Sequence, residues 1–206
     1  MKERPVIFNG EMVRAILDGR KTQTRRVVSD RHMHLIDVAS QIGECYPLES
    51  GINHANSQSY YRDLCPFGWV GDRLWVRETF AGHYLDDNQI QDIKDGRDKA
   101  EDLCEYRADY SDDADCVDGW TPSIHMPRWA SRITLEITAV RVERLNDISE
   151  EDAKAEGVAP SQHIITPAEA LYRVGFLKLW QSIYGFDSWN ANPWVWVIEF
   201  RRVGGA

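Results

Sequence analysis

The chain has 206 residues, a net charge of −9 at pH 7 and a hydrophobic fraction of 43%. This length predicts one domain with a sizeable core, and the apolar content excludes a chain that is disordered throughout. Because no apolar run approaches the length of a bilayer span and no signal-peptide core follows Met1, we expect a cytoplasmic protein without a membrane partner.

The first predicted elements are a strand and a helix. An apolar triplet at 6–8 predicts a short strand, and Asn9 is the expected N-cap of a helix with an apolar face over 12–17. Gly19 ends this helix. The mixed, polar composition of 29–66 predicts an insertion without a clear element pattern.

The middle of the chain contains the clearest strand signals. A turn before residue 73 precedes a predicted strand over 73–80. Apolar and polar residues alternate from 133 to 142, which predicts a second strand. The alternation slips once near 138–139, and this slip indicates a bulge.

Two helices and a strand are predicted in the last third. Ser149 and Gly157 mark the expected start and end of a helix over 149–156. A longer helix begins near residue 166, and an apolar strand over 194–200 closes the chain. The expected inner face of the longer helix consists of Leu171, Val174, Leu177, Trp180 and Ile183 or Tyr184.

Short strands combined with a few helices predict an α+β fold with a small barrel. The sequence contains no internal repeat and no sign of a second domain. We therefore predict a single domain over 1–206, with long insertions at about 29–66, 81–127 and 159–190.

The negative charge is concentrated in one segment. Residues 86–118 contain thirteen acidic and four basic side chains, and the rest of the chain has no net charge. Residues 1–34 carry a surplus of four positive charges, which suits an anionic ligand. With few apolar residues, 86–118 is expected to be a solvated, partly disordered loop. The alternative is that it shields the basic end.

The cysteines form no C-x-x-C pair. This spacing favours reduced thiols over a disulfide framework or a zinc site, so we expect no metal and no cofactor. A metal site built from the cysteines with His54 or His125 is the alternative. The four cysteines are Cys45, Cys65, Cys104 and Cys116.

The run from Ile16 to Arg26 is the most informative stretch of the chain. An apolar helical turn stops at Gly19, and the next seven residues include a lysine, two threonines and three arginines. Positive charge, hydroxyl groups and a lysine in one loop suit either anion binding or acyl chemistry. The alternative is a solvated basic turn that caps the helix.

Four stretches in the same order resemble the ASCH domain family, which belongs to the PUA-like superfamily of small β-barrels. The first is Lys21-Thr22-x-Thr24-x-Arg26, which follows Ile-Leu-x-Gly-Arg. Residues 71–76 resemble the family's Gly-Asp turn, 147–157 its short acidic helix, and 196–201 its closing strand. The chain is also similar, over much of its length, to uncharacterised phage and prophage ASCH proteins. The resemblance implies a PUA-like β-barrel with flanking helices.

The resemblance to small bacterial ASCH proteins implies hydrolysis of the amide of N(4)-acetylcytidine to cytidine and acetate. The family's catalytic Lys, Thr and Glu fall on Lys21, Thr24 and Glu156. A lysine with a lowered pKa can act as a base toward a threonine hydroxyl, and Arg20 or Arg26 can supply the neighbouring cation that lowers it. Glu156 can orient the cytosine amino edge, activate water or protonate the leaving group.

Each predicted catalytic residue also has a structural interpretation. Lys21 and Arg20 can complement a helix dipole at its C-terminal end. Thr24 can be the β-branched start of a strand, and Glu156 can be an exposed residue of an acidic helix.

The predicted substrate-binding residues are Arg20, Arg26, Trp75 and Glu78. The chain has eight tryptophans. A nucleobase binds well by stacking on an aromatic ring when cationic side chains bind the nucleic-acid backbone next to it. Trp75, on the strand after the Gly-Asp turn, is the preferred stacking platform, and core packing is the alternative. Glu78 is a second carboxylate that can face the same cavity as Glu156. The alternative is that Glu78 points outward from its strand and pairs with an arginine of that strand.

The resemblance thus implies an amidohydrolase that acts on an N(4)-acylated cytosine nucleoside, with a modified nucleoside or RNA as its partner. The alternative is a non-catalytic module that binds RNA or a modified base. Gln23 and Arg25 stand where smaller or apolar residues are expected, and this departure leaves the substrate open. Nothing in the sequence indicates the oligomeric state.

Overall fold

The computed structural model describes residues 1–50, 57–82, 84–111 and 119–203. These residues contain seven α-helices and seven β-strands. In chain order they are β1 (Glu3–Ile7), α1 (Gly10–Leu17), β2 (Gln23–Val27), α2 (Asp30–Gln41), α3 (Gln58–Asp63), β3 (Arg73–Arg77), β4 (Phe80–Ala81), α4 (Asp87–Lys94), α5 (Ala100–Leu103), β5 (Glu105–Tyr106), β6 (Thr134–Arg144), α6 (Glu150–Ala155), α7 (Leu171–Tyr184) and β7 (Trp194–Val203).

Five strands form a mixed sheet in the order β1-β3-β6-β7-β2. β1 and β3 are parallel, whereas β3 pairs antiparallel with β6, and β2 pairs antiparallel with β7. β4 and β5 form a separate antiparallel pair. The prediction of a fold that mixes helices and strands is confirmed. None of the α-helices in the described ranges is long and apolar enough to cross a bilayer.

The chain divides into two compact units. Unit 1 combines Met1–Gly19 with Asp72–Glu136 and the C-terminal residues from Arg201 onward. Unit 2 combines Arg20–Gly71 with Ile137–Phe200. The single domain over 1–206 stays a prediction.

The N-terminal helix of unit 1 forms as its sequence predicts. The side chain of Asn9 accepts a hydrogen bond from the backbone N–H of Met12 at 2.9 Å, which caps α1. Gly19 has a φ of +74°, a left-handed conformation that glycine adopts without strain, so the chain turns sharply after the helix.

The acidic segment of unit 1 is not the solvated loop that its charge predicts. Within its described part, α4, α5 and β5 form, and Asp86 caps α4 through a capping box with Gln89. Cys104 and Tyr106 are buried in a core cluster with Phe80, Met126 and Ala130. The expectation fails because a few apolar residues, spaced between the charges, suffice to attach the segment to the core. Residues 112–118, including Cys116, lie outside the described residues.

In unit 2, α6 and α7 contact each other at their N-terminal ends. Ser149 accepts a hydrogen bond from the N–H of Asp152 at 3.0 Å, as its predicted N-cap role requires. Glu150 accepts the N–H groups of Tyr172 and Arg173 at 2.6 and 2.9 Å, so a carboxylate of α6 lies at the N-terminal end of α7.

The core of unit 2 lies between these helices and the sheet. Phe176 and Trp180 of α7 pack with Val195 and Val197 of β7. Trp180 is buried, as predicted for the inner face of α7. Phe176, which was not predicted for this face, is buried as well. Ile183 and Tyr184 are 44% and 39% exposed, so the last turn of α7 does not belong to the buried face.

The region 29–66, predicted as an insertion, contains α2 and α3 in its described part. Residues 51–56, with His54, lie outside the described residues. Along β6, Leu135 and Ile137 are buried, and the burial resumes at Val140 and Val142. This pattern confirms the predicted alternation and its slip.

Candidate active site

Lys21 and Glu156, which are 135 residues apart in sequence, meet in unit 2. The Nζ atom of Lys21 donates to Oε2 of Glu156 at 2.8 Å and to the backbone carbonyl of Glu156 at 2.9 Å. The backbone supports this pairing, since the two residues form an antiparallel bridge and the N–H of Thr22 donates to the carbonyl of Ala155 at 2.8 Å. Two of the three predicted catalytic residues are therefore in direct contact.

Two helix ends place this pair. The turn at Gly19 directs the chain from α1 into β2, and Lys21 lies just before that strand. Glu156 is the C-cap residue of α6, and Gly157 follows it with a φ of +79°. Both turns use the left-handed conformation that favours glycine, so the predicted helix ends also position the site.

Burial dominates the electrostatics of Lys21. Its side chain is 0% exposed and that of Glu156 is 2% exposed. Burial lowers the pKa of the Lys21 ammonium, Glu156 opposes this shift, and the charges of Arg26 and Arg25 add to it. The pKa of Lys21 is lowered overall. Arg26 therefore provides the neighbouring cation that the sequence predicts.

Arg25 is a site residue that the sequence motifs do not predict. Its side chain is 0% exposed, and its Nη1 atom donates to Oε1 of Glu156 at 3.2 Å. Its Nη2 atom contacts Glu143 at 2.5 Å and Asp152 at 3.0 Å. The signal that could have found it is strand parity, because Gln23, two residues earlier, also reaches α6 by donating to the carbonyl of Asp152 at 2.7 Å.

A wider ion-pair network surrounds Arg25. Arg141 contacts Glu143 and Asp152, each at 3.0 Å, and pairs with Glu199. The network thus contains three cations and four carboxylates. The cations are Lys21, Arg25 and Arg141, and the carboxylates are Glu143, Asp152, Glu156 and Glu199.

Thr24 is buried on β2, 2% exposed, opposite Ile198 of β7. Strand alternation separates its side chain from those of Gln23 and Arg25 and gives it the same face as Arg26. Arg26 lies opposite Trp196, which is 0% exposed and contacts His32 edge-on at 6.1 Å between ring centroids. Trp196 therefore belongs to the core.

Arg20 is exposed and donates from Nη1 to the carbonyl of Gly157 at 3.0 Å. This contact is at the C-terminal end of α6, where a cation complements the helix dipole. The structure therefore gives Arg20 a capping contact, and its predicted role in substrate binding stays a prediction.

Trp75 and Glu78 belong to unit 1. Trp75 has the guanidinium groups of Arg77 and Arg128 at 5.4 and 5.9 Å from its ring centroid. Glu78 is buried and forms a two-point ion pair with Arg132, with both N–O distances at 3.0 Å. Burial raises the pKa of Glu78 and Arg132 opposes that shift. The outward position considered for Glu78 is wrong.

Comparisons of the chain with protein-family models, with curated proteins and with solved structures found no match. The resemblance to the ASCH family therefore rests on the sequence motifs.

The arrangement in unit 2 provides a buried amine with a lowered pKa, held by a carboxylate. Because its pKa is lowered, this amine gives up its proton at a lower pH than an ordinary lysine, and its neutral form can accept a proton from a nucleophile. In the described ranges, no group of three or more His, Cys, Asp or Glu side chains is arranged as metal ligands are. Cys45, Cys65 and Cys104 are free thiols.

Proposed function

We propose that the chain is an amidohydrolase that removes the acyl group from an N(4)-acylated cytosine nucleoside such as N(4)-acetylcytidine. The observation that carries the proposal is the contact between the fully buried amine of Lys21 and the carboxylate of Glu156 at 2.8 Å. A lowered pKa is what a lysine needs to act as a general base.

The charge balance of the network favours acid–base chemistry over anion binding. Its three cations already face four carboxylates, so a phosphate would have to displace a carboxylate to bind there. Of the two functions that the basic loop suggested, acyl chemistry therefore has the better support.

The hydrogen bonds of Lys21 are compatible with loss of its proton. A neutral amine keeps two N–H groups, which is enough for both contacts to the carbonyl and the carboxylate of Glu156. Glu156 therefore holds Lys21 in place in both protonation states. This positioning role is the one we assign to Glu156.

The proposed reaction has two steps. In the first, Lys21 takes the proton of the Thr24 hydroxyl, the threonine oxygen attacks the acyl carbon, and the bond from that carbon to N4 breaks. Lys21 passes this proton to N4, which leaves as the free amine of cytidine, so Lys21 is again a neutral base for the second step. In the second, water attacks the acyl-threonine ester, which releases the carboxylic acid and restores Thr24. Overall, the two steps consume one water molecule for each amide bond that is hydrolysed.

The scheme requires the hydroxyl of Thr24 to reach the amine of Lys21. Thr24 lies three residues from Lys21 and is buried on the face of β2 that carries Arg26, opposite to the face from which Gln23 and Arg25 reach α6 and Glu156. The approach of Thr24 to Lys21 is therefore itself part of the proposal. The PUA-like barrel, the ASCH membership and the substrate-binding roles of Arg20, Arg26, Trp75 and Glu78 are part of the same proposal.

Incubation of the protein with N(4)-acetylcytidine, followed by chromatography for cytidine and an enzymatic assay for acetate, tests the proposal. We expect equal amounts of both products. Thr24→Ser should keep part of the rate, whereas Thr24→Val, which is similar in shape but has no hydroxyl, should remove it. Thr22→Val is the matched control, because Thr22 is exposed on the same loop.

Two results would contradict the proposal. Absence of both products with a folded wild-type protein is the first. Tight binding of the nucleoside or of RNA without any hydrolysis is the second, and it would establish the non-catalytic binding module instead.

A further inference from the structure

A concave site lies entirely in unit 1. Its volume is about 830 Å³, which falls in the range of roughly 300–1,000 Å³ that is typical of small-molecule sites. Its wall combines cationic side chains with one large aromatic ring. These side chains are Lys94, Lys99, Arg128, Arg132, Arg202 and Trp129.

The wall has an excess of positive charge. Five lining residues are Lys or Arg and two are acidic, Asp98 and Glu101. Three of the five cations are paired: Arg128 with Glu3, Arg132 with Glu78 and Asp109, and Lys99 with Glu101 at 3.5 Å between two exposed side chains. Over the described residues, Lys94 and Arg202 form no ion pair, so these two cations are the ones that attract an anionic ligand to this cavity.

Two of the lining side chains are held firmly. Arg132 pairs with Glu78 and with Asp109, at N–O distances of 2.6 to 3.0 Å, and its guanidinium lies 3.9 Å from the ring centroid of Tyr106. Trp129 is partly buried and packs against the core cluster of unit 1. The Trp129 ring therefore packs against the core and also lines the cavity. This packing limits the side-chain entropy that is lost when a ligand stacks on the ring.

We propose that this cavity binds a free nucleotide, a nucleoside mono- or diphosphate. Its phosphates would be held by Lys94, Lys99 and Arg202, and its base would stack on Trp129. A free phosphate would leave the aromatic wall unused, and a free nucleoside would leave the cations unmatched. A nucleotide can use the aromatic ring through its base and the cations through its phosphates. This site shares no residue with the Lys21 site, and the proposal does not depend on the amidohydrolase.

Calorimetric titration of the whole protein at low ionic strength tests this inference. The probes are adenosine 5′-diphosphate, cytidine 5′-diphosphate, the two free nucleosides and inorganic pyrophosphate. We expect both diphosphates to bind at one site per chain, more tightly than pyrophosphate. We expect no detectable binding of the free nucleosides. Physiological salt should weaken the binding, because the contacts are between exposed charges.

Variants assign the binding to the cavity. Lys94→Glu and Arg202→Glu should each weaken the binding of the diphosphates by about tenfold at low salt. Lys178→Glu is the control, since it makes the same charge change at an exposed position of α7. Trp129→Leu should weaken nucleotide binding and leave pyrophosphate binding unchanged, provided that a thermal melt shows the variant to be folded.

Three results would overturn the inference. Absence of nucleotide binding to the wild type is the first. An equal loss of affinity in Lys178→Glu would show that only overall charge matters. Binding of a short RNA without a terminal phosphate, with none of the diphosphates, would make the cavity part of a polymer interface. None of these results bears on hydrolysis of N(4)-acetylcytidine, so the two proposals can fail separately.

Discussion

Lys21 and Arg25 bind opposite oxygens of one buried carboxylate, that of Glu156. The Nζ atom of Lys21 lies 2.8 Å from Oε2, and the Nη1 atom of Arg25 lies 3.2 Å from Oε1. The negative charge of Glu156 is therefore shared between two cations. Burial is the largest cause of the lowered pKa of Lys21, and the charges of Arg26 and Arg25 add to it, so Lys21 has a lowered pKa while it remains in contact with a carboxylate.

Loss of Arg25 should destabilise the protein strongly. Arg25→Met leaves Glu156 with one cation and removes a partner of Glu143 and Asp152, so we expect the free energy of unfolding to fall by about 3–5 kcal/mol. Urea unfolding measures this change. Arg141→Met is the control, since its side chain is 30% exposed and its loss should cost about 1 kcal/mol or less. Similar small losses in both variants would show that Arg25 is not central to the network.

Lys21 should make the stability depend on pH in the alkaline range. Its pKa is lower in the folded protein than its ordinary value of 10.5, so the unfolded chain binds this proton more tightly. The contribution of Lys21 to stability is therefore fully present above pH 10.5 and is lost as the pH falls through the folded pKa. Wild type should gain stability relative to Lys21→Met as the pH rises toward 10.5. Parallel curves for the two proteins, from thermal melts across that range, would contradict the lowered pKa.

The acidic segment should contribute to the stability of unit 1. Tyr106 is 1% exposed, packs in the core cluster and donates its hydroxyl to the carbonyl of Ala130 at 2.9 Å. We expect Tyr106→Ala to lower the free energy of unfolding by about 3–5 kcal/mol. Glu105→Ala, one residue earlier on β5 and exposed, should change it by less than about 0.5 kcal/mol. If both variants unfold like the wild type, this part of 86–118 is not structural.

Local signals in the sequence predict the elements that local interactions determine. Asn9 and Ser149 cap their helices through their own side chains, and Gly19 and Gly157 end them by adopting a positive φ. These contacts span only a few residues, so the sequence displays them directly.

Long-range contacts are harder to predict. The ion pairs of Arg25 join positions 118 to 131 residues apart, and no spacing rule connects them. The pairing of Lys21 with Glu156 was expected only through a family resemblance. The composition of 86–118 does not predict the burial of Tyr106, because an average hides single apolar residues within a charged segment.

Lys21 acts as a base rather than as a structural cation in the proposed reaction, and the rate of cytidine release by Lys21→Arg distinguishes the two roles. Arginine keeps the positive charge but retains its proton at any pH at which the protein is folded. We predict a loss of at least about a hundredfold relative to wild type, nearly as large as in Lys21→Ala, in a variant that still melts cooperatively. A rate in Lys21→Arg within a few-fold of wild type would show that Lys21 is a structural cation and not the base.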